Sequence, residues 1–560
     1  MQLFLFLSFS CFVFSCIIVY KYANHKNTPL YILALAVLSW FPPTAVIFLL
    51  PLDISSTNFR ACEGSNCSKP SGYLEKGVAF FYWRLLYWTL FVLTWYVVLY
   101  IPVVSRFVDS GYFSSRSRLY NAFRSNLNHN LRIWSAGLIC LIIMAIKGYL
   151  YPTNVIAFVM AVANLWGMFL IVSFMGVGLV EIPRKLKNCA NSAFQTRFIE
   201  SNAADIKFEV DDAELNVIDA LQEFTLIPNK NDILSPNYPF ILQIELENID
   251  LLDFYRDKIF YDASSRNSNN ITHTYLADLN RKIKNSAMQL KISEYKWLAS
   301  QNKYFFYSDI INSKHKSPGI LTSTIEPVRD WPIWRKRLEY IWYVQIAPVF
   351  FLLSSYIFAA LSFIILESEA MQTIFPRLSI IGMLFKYFET NLHIIEVISL
   401  VLVAYMSISI YTSLIKLKLF GINMLYPNHN SSPKSLLSAG CQLCRMMIPL
   451  CNNFLGLASS KLKTEFNQLM GKVDMVPIFG SSINKWTALM ILLPAFLSYI
   501  RAYSRIMKLL KSDLVLDYEP ENDNSPSEST HLGSASQSSN ILHPRSNEGR
   551  ILLSAVYEFF

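Results

Sequence analysis

Two charged residues fall at membrane depth in this sequence, where an ionisable side chain is costly and therefore a candidate for function. Glu396 lies about one turn into an apolar run from Leu392 to Ile415, and Arg445 near the middle of another from Ser435 to Ala458. An arginine does not shed its proton, so Arg445 needs a carboxylate, carbonyls or water. Glu396 can be that carboxylate in a structural pair, or Arg445 can line a ligand cavity; both readings stand. Lys147 and Arg84 lie near the ends of apolar runs and can snorkel to the interface. Trp40-Phe41-Pro42-Pro43 is expected to break a helix and free backbone groups that neighbours must satisfy.

Nine cysteines offer a second kind of chemistry. Cys441-x-x-Cys444, with Cys451 beyond, has the spacing of half a metal site. No second CxxC or His pair accompanies it, so the three read as buried structural thiols and no cofactor is expected. Cys62 and Cys67 differ, because they flank Glu63-Gly64-Ser65-Asn66 in a polar loop. A disulfide between them would persist only in an oxidising compartment. Asn66-Cys67-Ser68 is also a glycan acceptor triplet. Asn270-Ile271-Thr272 and Asn430-Ser431-Ser432 match the same pattern. The sequence contains no phosphate-binding G-x-x-x-x-G-K-[ST], no G-x-G-x-x-G after a strand and no H-E-x-x-H. Its eight histidines are scattered. The expectation is a protein that is not an enzyme and does not bind nucleic acid.

The elements that position these residues are set by composition. The chain has 560 residues, 53% hydrophobic and 16% charged, against roughly 25% charged in a soluble domain. The apolar residues are bunched into runs near the roughly 20 residues that a helix needs to cross a bilayer. The runs are Leu3–Tyr20, Leu30–Pro51, Leu85–Val104, Ile133–Tyr151, Val155–Ile182, Tyr340–Leu366, Leu392–Ile415, Ser435–Ala458 and Trp486–Ile506. They predict an all-α polytopic membrane protein of about nine spans. Leu378–Phe388 is too short to cross and reads as an interfacial lead-in.

Lys and Arg near the span ends give the orientation. With the N-terminus outside or lumenal, Arg106, Arg116, Arg118, Arg124, Arg184, Lys185, Arg335, Lys336, Arg501 and Arg505 all face the cytosol. Lys461, Lys463, Lys472 and Lys485 fall on the other side and make the last two spans the weakest part of that assignment. The net charge of +9 belongs to cytosolic span ends, where anionic lipid meets it. Asn66 then faces outward, and Asn270 and Asn430 face the cytosol.

Four regions follow: spans one to five over residues 1–182, a cytosolic helical loop over 183–337, spans six to nine over 338–511, and a Ser-rich tail over 512–560. In the loop, Ile206, Val210, Ala213, Val217, Ala220 and Phe224 alternate at spacings of four and three, a coiled-coil-like seam with Asp211, Asp212 and Glu214 outward. Leu276, Leu279, Ile283, Leu290 and Trp297 pattern a second helix, with Arg281, Lys282 and Lys284 outward. The two suggest an antiparallel hairpin, which either docks a cytosolic partner or simply packs on itself and covers the spans. Asp513 to Arg550 is polar and expected to be disordered. The apolar stretch from Ile551 to Phe560 reads as a short docking segment.

An ordered series of motifs resembles a known family. It comprises Trp83-Arg84-Leu85-Leu86-Tyr87-Trp88 with Leu93-Thr94-Trp95, Ser110-Gly111-Tyr112-Phe113, and Gly178-Leu179-Val180-Glu181-Ile182-Pro183-Arg184. Leu443-Cys444-Arg445, Pro449-Leu450-Cys451-Asn452-Asn453-Phe454-Leu455 and Met470-Gly471-Lys472-Val473-Asp474-Met475-Val476-Pro477 follow. From Met1 to about Lys511 the chain resembles the LMBR-like, limb-region-type membrane proteins, and within them the second LMBR-domain-containing branch. The family's Trp-Ser-Glu after span six stands here only as Ser368-Glu369, so no role of that tryptophan carries over. The resemblance implies nine spans, an outside N-terminus and a large cytosolic loop in a plasma or endosomal membrane. It also implies a receptor or a regulator of G-protein-coupled, notably adrenergic, receptor signalling, with no catalytic residues to carry over. A transporter or transporter-accessory subunit for a small ligand or lipid, using Arg445, Glu396 and the Pro42-Pro43 break, is the alternative.

Overall fold

The computed structural model describes residues 2–23, 30–62, 68–108, 110–146, 148, 151–227, 237–259, 272–316, 319–321, 332–389, 391–416, 425, 431, 433–458, 464–470, 489–501 and 544–557. Among them the chain is helical throughout, with one isolated bridge between Ala23 and Ser431 and no strand. Five helical stretches are long and apolar enough to cross a membrane: Leu3–Tyr22, Leu30–Ala61, Leu165–Cys189, Ile333–Ile374 and Leu392–Ile415.

Two compact units divide the chain. The first takes Met1–Pro102, Leu127–Lys185 and Ser354–Leu516, and the second Val103–Asn126, Leu186–Leu353 and Asp517–Phe560. The second unit is wider than the expected loop, because it also draws in residues around 103–126 and the C-terminal helix.

The first unit is arranged about α2 (Leu30–Ala61), which packs against α1 (Gln2–Tyr22) and the later helices α13 (Leu392–Lys416) and α14 (Pro433–Ala458). Contrary to expectation, Pro42 and Pro43 do not break α2, which runs on through both and through Pro51. Each proline still removes a hydrogen bond to the carbonyl four residues back. In hydrocarbon an unmet backbone group costs several kcal/mol, so neighbours must supply donors. The Ser39 carbonyl, which Pro43 leaves free, accepts from Cys444 Sγ at 3.1 Å. The Pro43 carbonyl itself accepts from Tyr411 Oη at 2.7 Å. Thr44 Oγ1 donates back to the Phe41 carbonyl at 2.8 Å, and the Thr44 carbonyl takes Cys11 Sγ at 3.6 Å. Helices α1, α13 and α14 thus each send a side-chain hydrogen into the proline stretch.

Small residues let backbones approach where helices cross. Gly178 on α5 (Pro152–Cys189) meets α13 so closely that a Cβ there would lie 2.2 Å from the Ser409 carbonyl oxygen. On α14, a Cβ at Gly440 would lie 2.2 Å from Ser39 Oγ.

The second unit is organised by α6 (Ser192–Thr225) and α9 (His273–Lys316). Asn191 caps α6, its side chain accepting from the Phe194 N–H. The helices run antiparallel, since Glu209 meets Lys296 while Glu223 meets Lys282. Val210, Ala213, Val217, Ala220 and Phe224 are buried against Leu276, Leu279, Ile283 and Leu290, with α7 (Tyr238–Glu247) and α8 (Ile249–Phe254) closing the same core. Pro544–Tyr557 is helical, so the expectation of disorder up to Arg550 does not hold over residues 544–550.

The crossing at Gly178 generates a prediction. Gly178→Ala places its methyl on backbone that cannot yield, and should lower the folded yield in detergent, read by fluorescence-detected size exclusion. Gly137→Ala, whose Cβ meets nothing within 4 Å, should leave the yield unchanged. Equal yields would show that the α5–α13 crossing tolerates separation.

Candidate functional site

Among the described residues the first unit buries three carboxylates, Asp53, Glu369 and Glu465. Asp53 sits near the C-terminal end of α2. Its Oδ2 accepts from Trp83 Nε1 at 3.0 Å and from the Phe466 N–H at 3.1 Å, and its Oδ1 from the Glu465 N–H at 3.3 Å. Those amides open the short α15 (Glu465–Met470), where the helix leaves N–H groups unsatisfied and favours negative charge. Glu465 in turn takes Arg60 Nη2 at 3.1 Å, and Arg60 Nη1 donates to the Leu74 carbonyl at 2.9 Å. Ser56 Oγ accepts from the Leu74 N–H at 2.9 Å. Phe466 meets the Trp83 ring edge-on at 4.9 Å. Asp53 thus ties α2 to Trp83 and α15, while Ser56 and Arg60 tie it to the segment before Lys76.

Glu369 is the second buried carboxylate, near the end of α11 (Ala347–Ile374), and Asn453 of α14 donates to it. Beside it, Ser368 Oγ accepts from the Ile381 N–H at 3.1 Å and Glu367 Oε2 from the Ile380 N–H at 3.1 Å. These two side chains hold the start of α12 (Ile380–Tyr387).

Glu396 and Arg445, the membrane-depth residues expected from the sequence, are both half-buried. Among the described residues no ion pair joins them. Glu396 instead takes hydrogen bonds from the Ser71 side chain and the Gly72 backbone. Its Oε2 is buried without a hydrogen-bond partner among the described residues. Of the two readings the sequence left open, the structural pair is not seen here: the Glu396 carboxylate meets the segment at Ser71 and Gly72, with His393 beside it on its own helix. Arg445 lies where its helix meets α5, with a Cβ at Gly167 falling 2.5 Å from the Arg445 carbonyl oxygen.

Cys441, Cys444 and Cys451 are buried thiols outside any disulfide. No cluster of three or more metal-ligating side chains occurs among the described residues. Cys62 is disulfide-bonded; Cys67, Asn66, Asn270, Asn430 and Lys147 lie outside the described residues. Arg84 is exposed.

Most motifs of the resemblance occupy junctions. Trp83 meets Asp53, and Asn453 meets Glu369. The Leu179 and Pro183 carbonyls accept from Ser362 Oγ at 2.6 Å and Ser355 Oγ at 2.8 Å. Arg184 pairs with Glu181 at 2.7 Å and donates to the Ser498 carbonyl at 3.1 Å, on α16 (Leu492–Tyr499). In the second unit, Asn280 Nδ2 donates to the Gly111 carbonyl at 3.2 Å. The Phe113, Phe240 and His273 rings cluster there, with Phe240 and His273 4.6 Å apart. Of the last motif only Met470 is described.

The surface of the second unit carries the acidic and basic faces expected from the sequence, and they partly neutralise each other. Lys282 pairs with Glu223 at 2.6 Å, Lys258 with Glu214 at 2.6 Å and Lys284 with Glu247 at 2.6 Å. Burial and the hydrogen-bonded Glu223 carboxylate push the Tyr275 phenol up to about 12. Burial works against the charged Glu247 carboxylate, but hydrogen bonds from Lys284 and Gln243 outweigh it and hold this group below the usual carboxylate range. Large apolar side chains also remain uncovered: Phe208 and Leu215 on α6, and Leu246, Ile249 and Phe254 across α7 and α8.

Because Glu396 has its own donors, Glu396→Ala and Arg445→Met should destabilise independently. The double variant's loss in detergent melting should equal the sum within about 0.3–0.5 kcal/mol. A double variant markedly more stable than that sum would restore the pair.

The sequence also aligns with proteins already named. The chain is 24% identical over 554 residues to the human "G-protein coupled receptor-associated protein LMBRD2", covering 89% of this chain and 78% of that protein. The chicken (Gallus gallus) protein of the same name is 23% identical over 546 residues, with the same coverage. The Drosophila melanogaster "LMBR1 domain-containing protein 2 homolog" is 23% identical over 538 residues, covering 88% and 76%. No solved structure matches the chain. The sequence profile described as "LMBR1-like membrane protein" matches residues 1–503, and the chain belongs to that family.

Proposed function

We propose that the chain is a non-enzymatic multi-pass membrane regulator of receptor signalling, which engages its partner through the helical region 183–337. The observation that carries this reading is the pair Phe208 and Leu215, 71% and 59% exposed. They lie two turns apart on α6, outside the seam that α6 buries against α9. Exposed apolar side chains rimmed by charge are where protein partners bind. Asp211 and Asp212 supply that rim between them, both exposed. Relatives matched over most of this chain are named as G-protein-coupled-receptor-associated, which supports a receptor or its signalling protein as the partner.

The Phe208→Asp/Leu215→Asp double variant should reduce co-purification of a co-expressed adrenergic receptor at least tenfold, with its own yield and chromatographic profile unchanged. Undiminished co-purification would remove α6 as the docking face.

The topology proposed with this function has nine spans in a plasma or endosomal membrane, the N-terminus outside or lumenal and the C-terminus in the cytosol. Support comes from three places. Cys62 is disulfide-bonded, as suits an oxidising side. Ser110–Phe113, between the third and fourth proposed spans, packs on α9 of the large loop, and both loops belong on one side in a nine-span chain. The C-terminal helix packs on α6 of that same loop. Asn66→Gln should therefore abolish any glycosidase-sensitive mobility shift, while Asn270→Gln and Asn430→Gln should not. A shift that survives Asn66→Gln and disappears with Asn430→Gln would invert the late spans.

A further inference from the structure

The helix Pro544–Tyr557, α17, lies beyond residue 503, where the family match ends. It seats on the α6–α9 hairpin at a face distinct from Phe208 and Leu215. Leu553 is fully buried there among Ile199, Ala203, Tyr304 and Phe305. One turn earlier, Gly549 is pressed against α6. A Cβ at that position would lie 1.9 Å from the Glu200 carbonyl oxygen and 3.2 Å from Ala203 Cβ. The next residue, Arg550, is exposed and attracts the Glu200 carboxylate, which is itself buried. The groove thus reads three things in a helix: no side chain at one point, a cation beside it, and a leucine four residues on.

We propose that this groove is a helix-docking site and that α17 is a releasable cover, filling in cis a site that accepts a partner's amphipathic helix with the same Gly-Arg-x-x-Leu face once α17 has left. Two physical points favour release over permanent packing. A 14-residue helix is marginal on its own in water, so its order depends on the groove. Forty-two residues separate Arg501 from Pro544, so the contact is intramolecular. Linked segments reach effective concentrations of roughly millimolar, and a weak contact is then enough to keep the groove filled. A competing helix need only exceed that. The inference rests on the hairpin's geometry and not on the identity of a receptor.

The test uses the purified full chain in detergent and a fluorescent synthetic peptide of residues 543–560. Gly549→Leu and Leu553→Asp, made separately in the full chain, should open the groove. The peptide should then bind either variant at least tenfold more tightly than it binds the unaltered chain, by anisotropy. The same peptide carrying Gly549→Leu should bind neither variant. Hydrogen exchange gives a second readout: amides of residues 549–556 should be protected in the unaltered chain and exchange as fast as the free peptide in both variants. Equal binding to all three chains, binding to none, or unprotected amides in the unaltered chain would overturn the proposal.

Discussion

A transmembrane helix has no water to complete its backbone hydrogen bonds, and α2 carries three prolines that each remove one. That deficit constrains how the first unit packs. The Ser39 carbonyl, whose helical donor Pro43 removes, is met because α14 brings Cys444 to within bonding reach, and α13 adds Tyr411 at the Pro43 carbonyl. An intramembrane hydrogen bond is worth only roughly 0.6 kcal/mol on average. The several kcal/mol at stake if a carbonyl goes unmet decide the arrangement. Gly440 follows from the same requirement, because α14 cannot deliver the Cys444 hydrogen unless its backbone comes close to Ser39.

Further along α2, Asp53 works in the opposite sense. The prolines create acceptors without donors; Asp53 and Glu369 gather donors that lack acceptors. The open amides of α15 turn to Asp53, and those of α12 to Glu367 and Ser368. A short helix leaves most of its end groups unsatisfied, and these carboxyl and hydroxyl groups take up the amides at the starts of α15 and α12. Around both carboxylates the hydrogen bonds hold neighbouring segments in place.

Helical content, long apolar runs and the hairpin seam were legible because they depend on residue period alone. Val210, Ala213, Val217, Ala220 and Phe224 are buried where their spacing put them. Family motifs were legible as a series, but their purpose was not. Trp83 and Asn453 matter for the acceptors they meet, which lie 30 and 84 residues away. Asp53 carries no signal in the sequence because it lies two residues past Pro51, where the apolar run ends; the continuing helix carries it inward. Opposite charge makes a Glu396–Arg445 pair legible as one possibility, whereas the backbone and hydroxyl donors at Ser71 and Gly72 carry no sign in a sequence.

The spacing of the hairpin's ion pairs bears on how it can move. Lys282–Glu223 and Lys296–Glu209 stand fourteen residues apart on both helices. The more exposed pair, Lys282–Glu223, adds about 0–1 kcal/mol, while each buried Val, Leu, Ile or Phe of the seam contributes about 1.5–3 kcal/mol. The seam holds the helices together and the pairs fix one alignment along it. Sliding by a single turn would break both pairs at once and carry seam residues past their partners. Telescoping is thereby closed to the hairpin as a way of passing on a signal.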